Sequence, residues 1–277
     1  LSGARPVGVD TGLNQIRDVA VRELAQPSAS VAGRGQLSQR NLLDAFADHV
    51  VSFVDQDQLI PLKVVADTAN GMGGLVVPAV CERLPQIQLE VMFGELDGTF
   101  PNHPADPIQP ANQKDLQARV LSGGFDVGLA FDGDADRVFV VDEKGIGLSG
   151  STTTALLAAA VLRKNPGAKI IHNLICSKAV PEVITEYGGV PIRSQVGHSY
   201  IKQLMVETGA VFGGEHSAHY YFLNNYRADS GLIAAMHVFN EMSRSGEKLS
   251  QVRIPFARYS ASGEINTQVN DPLAVIE

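Results

Sequence analysis

The sequence predicts an α/β protein of two consecutive βα domains, each with a mixed, mainly parallel sheet flanked by helices. Two observations predict it. From residue 38 to 255, short apolar runs alternate with segments of helical period, and such alternation builds parallel strands covered by helices. The alternation then restarts near Ser149, so two similarly built domains are expected, divided near residue 148. A chain of 277 residues is long enough to give each its own core.

The elements follow in order. Within residues 13–24, Ile16, Val19, Ala20 and Leu24 form one helical stripe, and the small polar residues 26–36 read as a linker. Leu42, Leu43, Phe46, Val50, Phe53 and Val54 recur at helical spacing, with Asn41 or Ser38 as the cap. Residues 62–66 form a short apolar strand that ends in Asp67-Thr68-Ala69-Asn70-Gly71. That stretch lacks both the glycine-lysine pattern of a P-loop and the spacing of a dinucleotide fingerprint, so it reads as a tight strand-to-helix turn. A helix over 75–84 and a strand over 89–93 come next. Residues 97–107 hold three prolines and a glycine and are expected to be irregular. A helix over 114–121 and strands over 127–131 and 138–141 complete the first set.

In the second set, residues 153–164 form a helix with Arg163 and Lys164 in its last turn, where the helix dipole favours cations. Strands over 169–175, 190–193 and 210–212 alternate with helices over 180–187 and 200–208, and Gly188-Gly189 closes the first of these helices. Asp229-Ser230-Gly231 opens a helix that runs to Met242, and the tail after Ile254 turns strand-like.

The most informative motif is Phe131-Asp132-Gly133-Asp134-Ala135-Asp136-Arg137. Three carboxylates at alternate positions follow a buried strand and can gather oxygens around one hard cation, for which carboxylates select Mg²⁺, Ca²⁺ or Mn²⁺. Arg137 would repel that cation, so it is expected to face an anion held at the metal, which points to phosphate chemistry. An EF-hand fails, because Arg137 occupies the glycine position and strands flank the loop. A phosphatase with Asp132 as nucleophile stays open at this point. A solvated acidic turn is disfavoured, because three aspartates this close repel one another without a cation.

Gly214-Glu215-His216-Ser217-Ala218-His219 follows a strand, and alternation would turn Glu215, Ser217 and His219 to one side. A carboxylate, a hydroxyl and an imidazole suit the hydroxyls of a sugar; a polar edge strand is the structural alternative, and metal ligation by Glu215 and His219 a weaker one. Val196-Gly197-His198-Ser199-Tyr200-Ile201-Lys202 puts His198 in a loop entering a helix, where N–H groups favour anions, with Lys202 one turn on. Lys178 and Arg193 are further candidates for a basic cleft.

Composition bounds the partners. The net charge of −8 argues against nucleic acid, which demands a basic face. The longest apolar stretch, residues 155–162, is too short for a bilayer, and no signal peptide is visible. Cys81 and Cys176 match no metal or redox spacing and are expected to be free thiols in a reducing cytoplasm.

Together these motifs resemble the bacterial phosphomannomutase/phosphoglucomutase branch of the α-D-phosphohexomutase family. The 132–137 run resembles its metal loop and the 214–219 run its sugar loop. Asp97-Gly98-Thr99-Phe100-Pro101-Asn102-His103 and Ala261-Ser262-Gly263-Glu264-Ile265-Asn266 resemble two further stretches. The resemblance implies family domains 2 and 3 at 38–148 and 149–255. A remnant of domain 1 with linker would span 1–37, and the start of domain 4 would span 256–277. It implies Mg²⁺ on Asp132, Asp134 and Asp136, with Arg137 and His198 as catalytic residues. Glu215, Ser217, His219, Lys202 and Lys178 would bind substrate.

The implied reaction interconverts hexose 1-phosphate and hexose 6-phosphate, of mannose or glucose, through a phosphoserine and a hexose bisphosphate. Hexose 1,6-bisphosphate would be the activator. The expected state is a cytoplasmic monomer or dimer with no nucleic-acid or membrane partner. The phosphoserine motif Ser/Thr-Ala-Ser-His-Asn-Pro does not occur in this sequence. Asn173 and Ile175 stand where relatives often carry an aspartate and a basic residue. The chain is therefore expected to be a fragment, inactive alone. A metal-dependent sugar phosphatase and a non-catalytic sugar-phosphate-binding module are the alternatives.

Overall fold

A computed structural model describes residues 7–8, 11–25, 35–261, 263 and 267–269. It contains two four-stranded sheets with the same order and the same strand directions. In the first, β1 (Leu62–Asp67) lies between β2 (Ile87–Met92) and β3 (Val127–Phe131), all parallel, and β4 (Val138–Asp142) closes the edge antiparallel to β3. In the second, β5 (Lys169–Asn173) lies between β6 (Val190–Ser194) and β7 (Phe212–Gly214), and β8 (Tyr220–Phe222) pairs antiparallel with β7. The α/β reading with mixed, mainly parallel sheets therefore holds.

The helices are α1 (Leu13–Leu24), α2 (Leu43–Val51), α3 (Gly73–Cys81), α4 (Lys114–Gly123), α5 (Gly150–Lys164), α6 (Ala179–Glu186), α7 (His198–Thr208), α8 (Gly231–Ser245) and α9 (Leu249–Val252). β3 and β4 are buried along their whole length, which explains their near-continuous apolar sequence. One hydrophobic core runs from Val64 and Val127 in the first sheet to Phe212 and Phe239 in the second unit. α8 belongs to the second unit in sequence but packs on β4 and α2 of the first. Among the described residues no helix is long and apolar enough to cross a membrane.

Several sequence expectations change. The helix at 42–54 stops at Val51, and Phe53 and Val54 continue in tight turns; Asn41 Oδ1 accepts the Leu43 N–H at 2.9 Å as expected. The strand expected over 169–175 ends at Asn173, because Leu174 and Ile175 turn out of the sheet and are exposed. β8 and α9 were not foreseen, each being too short to show a period. The described residues beyond Ile254 form no strand. Residues 26–34 of the expected linker, and most of the 261–266 stretch, lie outside the described residues.

Candidate active site

In open α/β sheets ligands sit beyond the carboxyl ends of the strands, at the point where strand order reverses. Each sheet here has one such point, between β1 and β3 and between β5 and β7. The acidic loop leaves β3 at the first, and the 215–219 turn leaves β7 at the second.

Residues 132–137 connect β3 to β4 as a tight return, with Ala135 left-handed at φ 63°. Asp132, Asp134 and Asp136 bring one carboxylate oxygen each within 4.8 Å of the others. Asp136 Oδ1 is buried and accepts no hydrogen bond. Burial and the charges of Asp132, Asp229 and Asp134 push the Asp136 carboxyl up to about 7. An all-oxygen donor set with an orphaned buried oxygen and excess negative charge fits a hard divalent cation.

Arg137 is turned inward. Its Nε donates to Asp132 Oδ2 at 2.7 Å, and its backbone N–H donates to Asp132 Oδ1 at 3.2 Å. Its guanidinium also lies 3.7 Å from Asp106, a residue the sequence did not mark. Asp132 is only 3% exposed with both oxygens engaged, which does not suit a nucleophile needing open in-line approach.

Backbone packs against this loop from two sides. At the β1–α3 turn, Met72 N–H donates to the Gly133 carbonyl at 2.9 Å, and a Cβ on Gly71 would lie 2.5 Å from that oxygen. At the start of α8, a Cβ on Gly231 would lie 2.7 Å from the Arg137 carbonyl oxygen. The Asp67–Gly71 turn is thus structural, as its sequence suggested, and it supports the acidic loop. The irregular 97–107 stretch covers the same loop through Phe100 and is tied to β1 by His103, whose Nε2 lies 3.0 Å from Asp67 Oδ2. Burial opposes a charged His103, but the Pro104 carbonyl and the Asp67 carboxylate outweigh it and raise its pKa.

Glu215, Ser217 and His219 do come together, though by a different device from strand alternation. Residues 215–219 form a turn, in which Ala218 N–H donates to the Glu215 carbonyl at 3.1 Å and Ala218 is left-handed at φ 68°. His219 Nδ1 lies 3.2 Å from Ser217 Oγ and 3.6 Å from Glu215 Oε2. Its Nε2 lies 3.6 Å from Asp136 Oδ1, and a backbone bridge pairs Arg137 with His219. The two loops therefore meet. Burial lowers the His219 pKa despite the nearby Asp229 and Glu215 carboxylates.

Lys202, on α7, joins the cluster through a 2.9 Å ion pair with Asp229. Sequence reasoning saw Asp229 only as a helix opener, yet it forms a second possible donor group with Asp136 and His219. The pairing of Tyr221 with Asp229 brings it there, a hairpin-like return that no motif spacing announces. His198 is the first residue of α7 rather than a loop residue, and it is exposed. Lys178 is exposed just ahead of α6, and exposed Arg193 donates to the Leu174 carbonyl at 3.5 Å. No described hydrogen bond or ion pair ties His198 or Lys178 to the cluster.

Fold and site define a two-unit α/β/α protein whose acidic loop and polar turn, one from each sheet, meet. The family model described as phosphoglucomutase/phosphomannomutase, alpha/beta/alpha domain II, matches residues 44–145, and that of domain III matches 149–259. The chain belongs to the phosphoglucomutase/phosphomannomutase family. It is 40% identical over 280 residues to a phosphomannomutase of Salmonella montevideo, an alignment that takes in 99% of this chain and 61% of that protein. Its identity to a phosphomannomutase of Escherichia coli K12 is 39% over 279 residues, with the same shares. The chain thus spans about 61% of the length of these relatives.

Among solved structures, a phosphoglucomutase/phosphomannomutase family protein of Burkholderia thailandensis superposes with a TM-score of 0.77 at 32% identity, over 86% of this chain and 51% of that one. An Aspergillus fumigatus N-acetylphosphoglucosamine mutase, solved with GlcNAc-6P and magnesium, shares the fold at a TM-score of 0.58 and 11% identity, over 76% and 53% of the two chains.

Proposed function

We propose that this chain supplies the metal-binding and sugar-binding parts of a hexose-phosphate mutase, an isomerase acting on mannose or glucose phosphates. The observation that carries the reading is the meeting of the acidic loop and the sugar-type turn, with His219 Nε2 3.6 Å from Asp136 Oδ1. The relatives named phosphomannomutase support the reaction class.

Asp132, Asp134 and Asp136 would hold Mg²⁺. When bound, the ion supplies charge neutralisation to a phosphoryl group in transfer. Arg137 faces that group from beside the loop while its Nε keeps Asp132 oriented. Glu215, Ser217 and His219 receive sugar hydroxyls, and the Lys202 ammonium, held by Asp229, stands by for the phosphate. His198 and Lys178 extend the basic rim toward the non-reacting phosphate. The phosphoryl carrier is a phosphoserine that this sequence does not contain, and a hexose 1,6-bisphosphate is the intermediate and activator. A cytoplasmic monomer or dimer with no nucleic-acid or membrane partner completes the proposal.

The test is a coupled assay with mannose 1-phosphate or glucose 1-phosphate, Mg²⁺ and a trace of hexose bisphosphate, alongside Asp134→Asn. The expected result is no turnover by this chain alone, Mg²⁺-dependent binding of the sugar phosphate, and loss of that binding in the variant. Release of inorganic phosphate would replace the mutase reading with the phosphatase one. Binding without turnover, even after phosphoserine and fourth domains are supplied, would leave a binding module.

A further inference from the structure

Tyr221 lies beneath the polar groups of the candidate site and has no sequence signal of its own. It is fully buried, as is its neighbour Tyr220. Its hydroxyl donates to Glu215 Oε2 at 2.7 Å. Its ring stacks with the His219 imidazole, with centroids 6.3 Å apart, and the Lys202 ammonium stands 5.6 Å from the ring centre. One side chain therefore adjoins three of the groups assigned to the substrate, Glu215 and His219 for the sugar and Lys202 for the phosphate.

Glu215 is 1% exposed, and its lone pairs are nearly spent. Oε1 accepts from Asn173 Nδ2 and from the Gly197 N–H, each at 3.2 Å. Oε2 accepts from Tyr221. A carboxylate offers about four acceptor directions, so about one is left, and it lies on Oε2 beside His219 Nδ1.

We infer that Tyr221 is a positioning residue that fixes the Glu215 carboxylate so that it accepts from a single ligand hydroxyl, next to His219. The inference rests on the proposed sugar-phosphate reading. The geometry excludes a bidentate grip on two neighbouring hydroxyls unless one of the three donors lets go. It also ties the sugar contact to α7, because the Gly197 N–H on Oε1 belongs to the residue that caps the helix carrying His198 and Lys202.

The experiment compares the 277-residue chain with Tyr221→Phe, and uses Tyr220→Phe as the control for loss of a buried hydroxyl. Tyr220 is equally buried, but its hydroxyl does not reach Glu215. Two quantities are measured with Mg²⁺ present. One is the Kd for mannose 1-phosphate and its singly deoxygenated analogues. The other, without ligand, is hydrogen exchange at the Gly197 amide. In the wild type, removal of one hydroxyl should weaken binding by about tenfold, the worth of a hydrogen bond to a charged group, and removal of its neighbours should cost far less. In Tyr221→Phe that preference should flatten and the Gly197 amide should exchange faster, while Tyr220→Phe changes neither. Equal deoxy preferences and equal exchange in Tyr221→Phe and wild type would overturn the inference. If the wild type binds no hexose phosphate, the proposed function falls first, and exchange at Gly197 alone decides whether Tyr221 holds Glu215.

Discussion

Replacing Gly231 by alanine should disturb the acidic loop without touching a carboxylate. Gly231 is the first residue of α8, and its missing Cβ leaves room for the return from β3 to β4. A Cβ there would sit 2.7 Å from the Arg137 carbonyl oxygen and 3.1 Å from that of Ala135. Ordinary carbon–oxygen contacts begin at roughly 3.3 Å, so the helix start and the loop must part by about 0.6 Å. Both neighbours are backbone, so no side chain can rotate away. Overpacking of this kind costs about 1–3 kcal/mol. Alanine's better helix propensity returns at most about 1 kcal/mol, and less at a helix end. The expected net loss is therefore about 1–2 kcal/mol, read by urea unfolding. Weaker Mn²⁺ binding should accompany it, read by the ion's own paramagnetic signal. Gly98→Ala is the control, since a Cβ there meets nothing within 4 Å, and its effect should stay within about 0.5 kcal/mol. A Gly231→Ala protein as stable as wild type, with unchanged Mn²⁺ affinity, would refute the claim that α8 sets the loop.

Two further outcomes are expected. Arg137→Gln removes the 2.7 Å donor from a nearly buried Asp132, and should destabilise the metal-free chain by about 2–3 kcal/mol, short of the roughly 3–5 kcal/mol for breaking a fully buried pair because Arg137 is itself 24% exposed. Saturating Mg²⁺ should recover much of that loss, and an equal loss with and without Mg²⁺ in urea unfolding would contradict it. His237 stacks on Phe222 at 5.1 Å, and burial together with the Lys164 charge lowers its pKa to about 4, so the unfolded chain binds the proton more readily than the folded one. Stability from this group is complete above about pH 6.5 and falls as pH drops toward 4, by at most roughly 3 kcal/mol. His237→Phe should flatten the stability profile across that window; the same slope in both proteins would exclude His237 as its source.

The parts of the site that were legible in the sequence share a physical reason. Asp132, Asp134 and Asp136 are close in space because they are close in sequence, and their crowding is chemically odd enough to demand an explanation. The long strands and helices were legible because burial on one or both faces imposes a period. What stayed hidden depends on pairing between elements. Asp229 reaches the cluster only because Tyr221 bridges to it, and Tyr221 looks like any other aromatic residue in a short apolar run. The 215–219 turn was read as an extended strand because alternation of polar residues suits both, and the left-handed Ala218 carries no sequence mark. Gly71 and Gly231 looked like turn and cap glycines, yet both are needed where one backbone passes close to another.

The charges explain why these dependencies matter. Asp106, Asp132, Asp134, Asp136, Asp229 and Glu215 gather around the permanent cations Arg137 and Lys202 and around His219, whose charging burial disfavours. Such a cluster repels a phosphate dianion as it stands. Asp136, pushed up to about 7, shows where the excess is felt most, since part of the repulsion is relieved there by holding a proton. A divalent cation held by the three loop aspartates would displace that need and would turn the loop from a barrier to an anion into a seat for one. On the proposed function, Arg137 would then have less to do as the internal counter-ion of Asp132, and its guanidinium would be freer to meet a phosphoryl group. Its two proposed duties would belong to two charge states of one loop, so its removal should be felt most when the metal is absent.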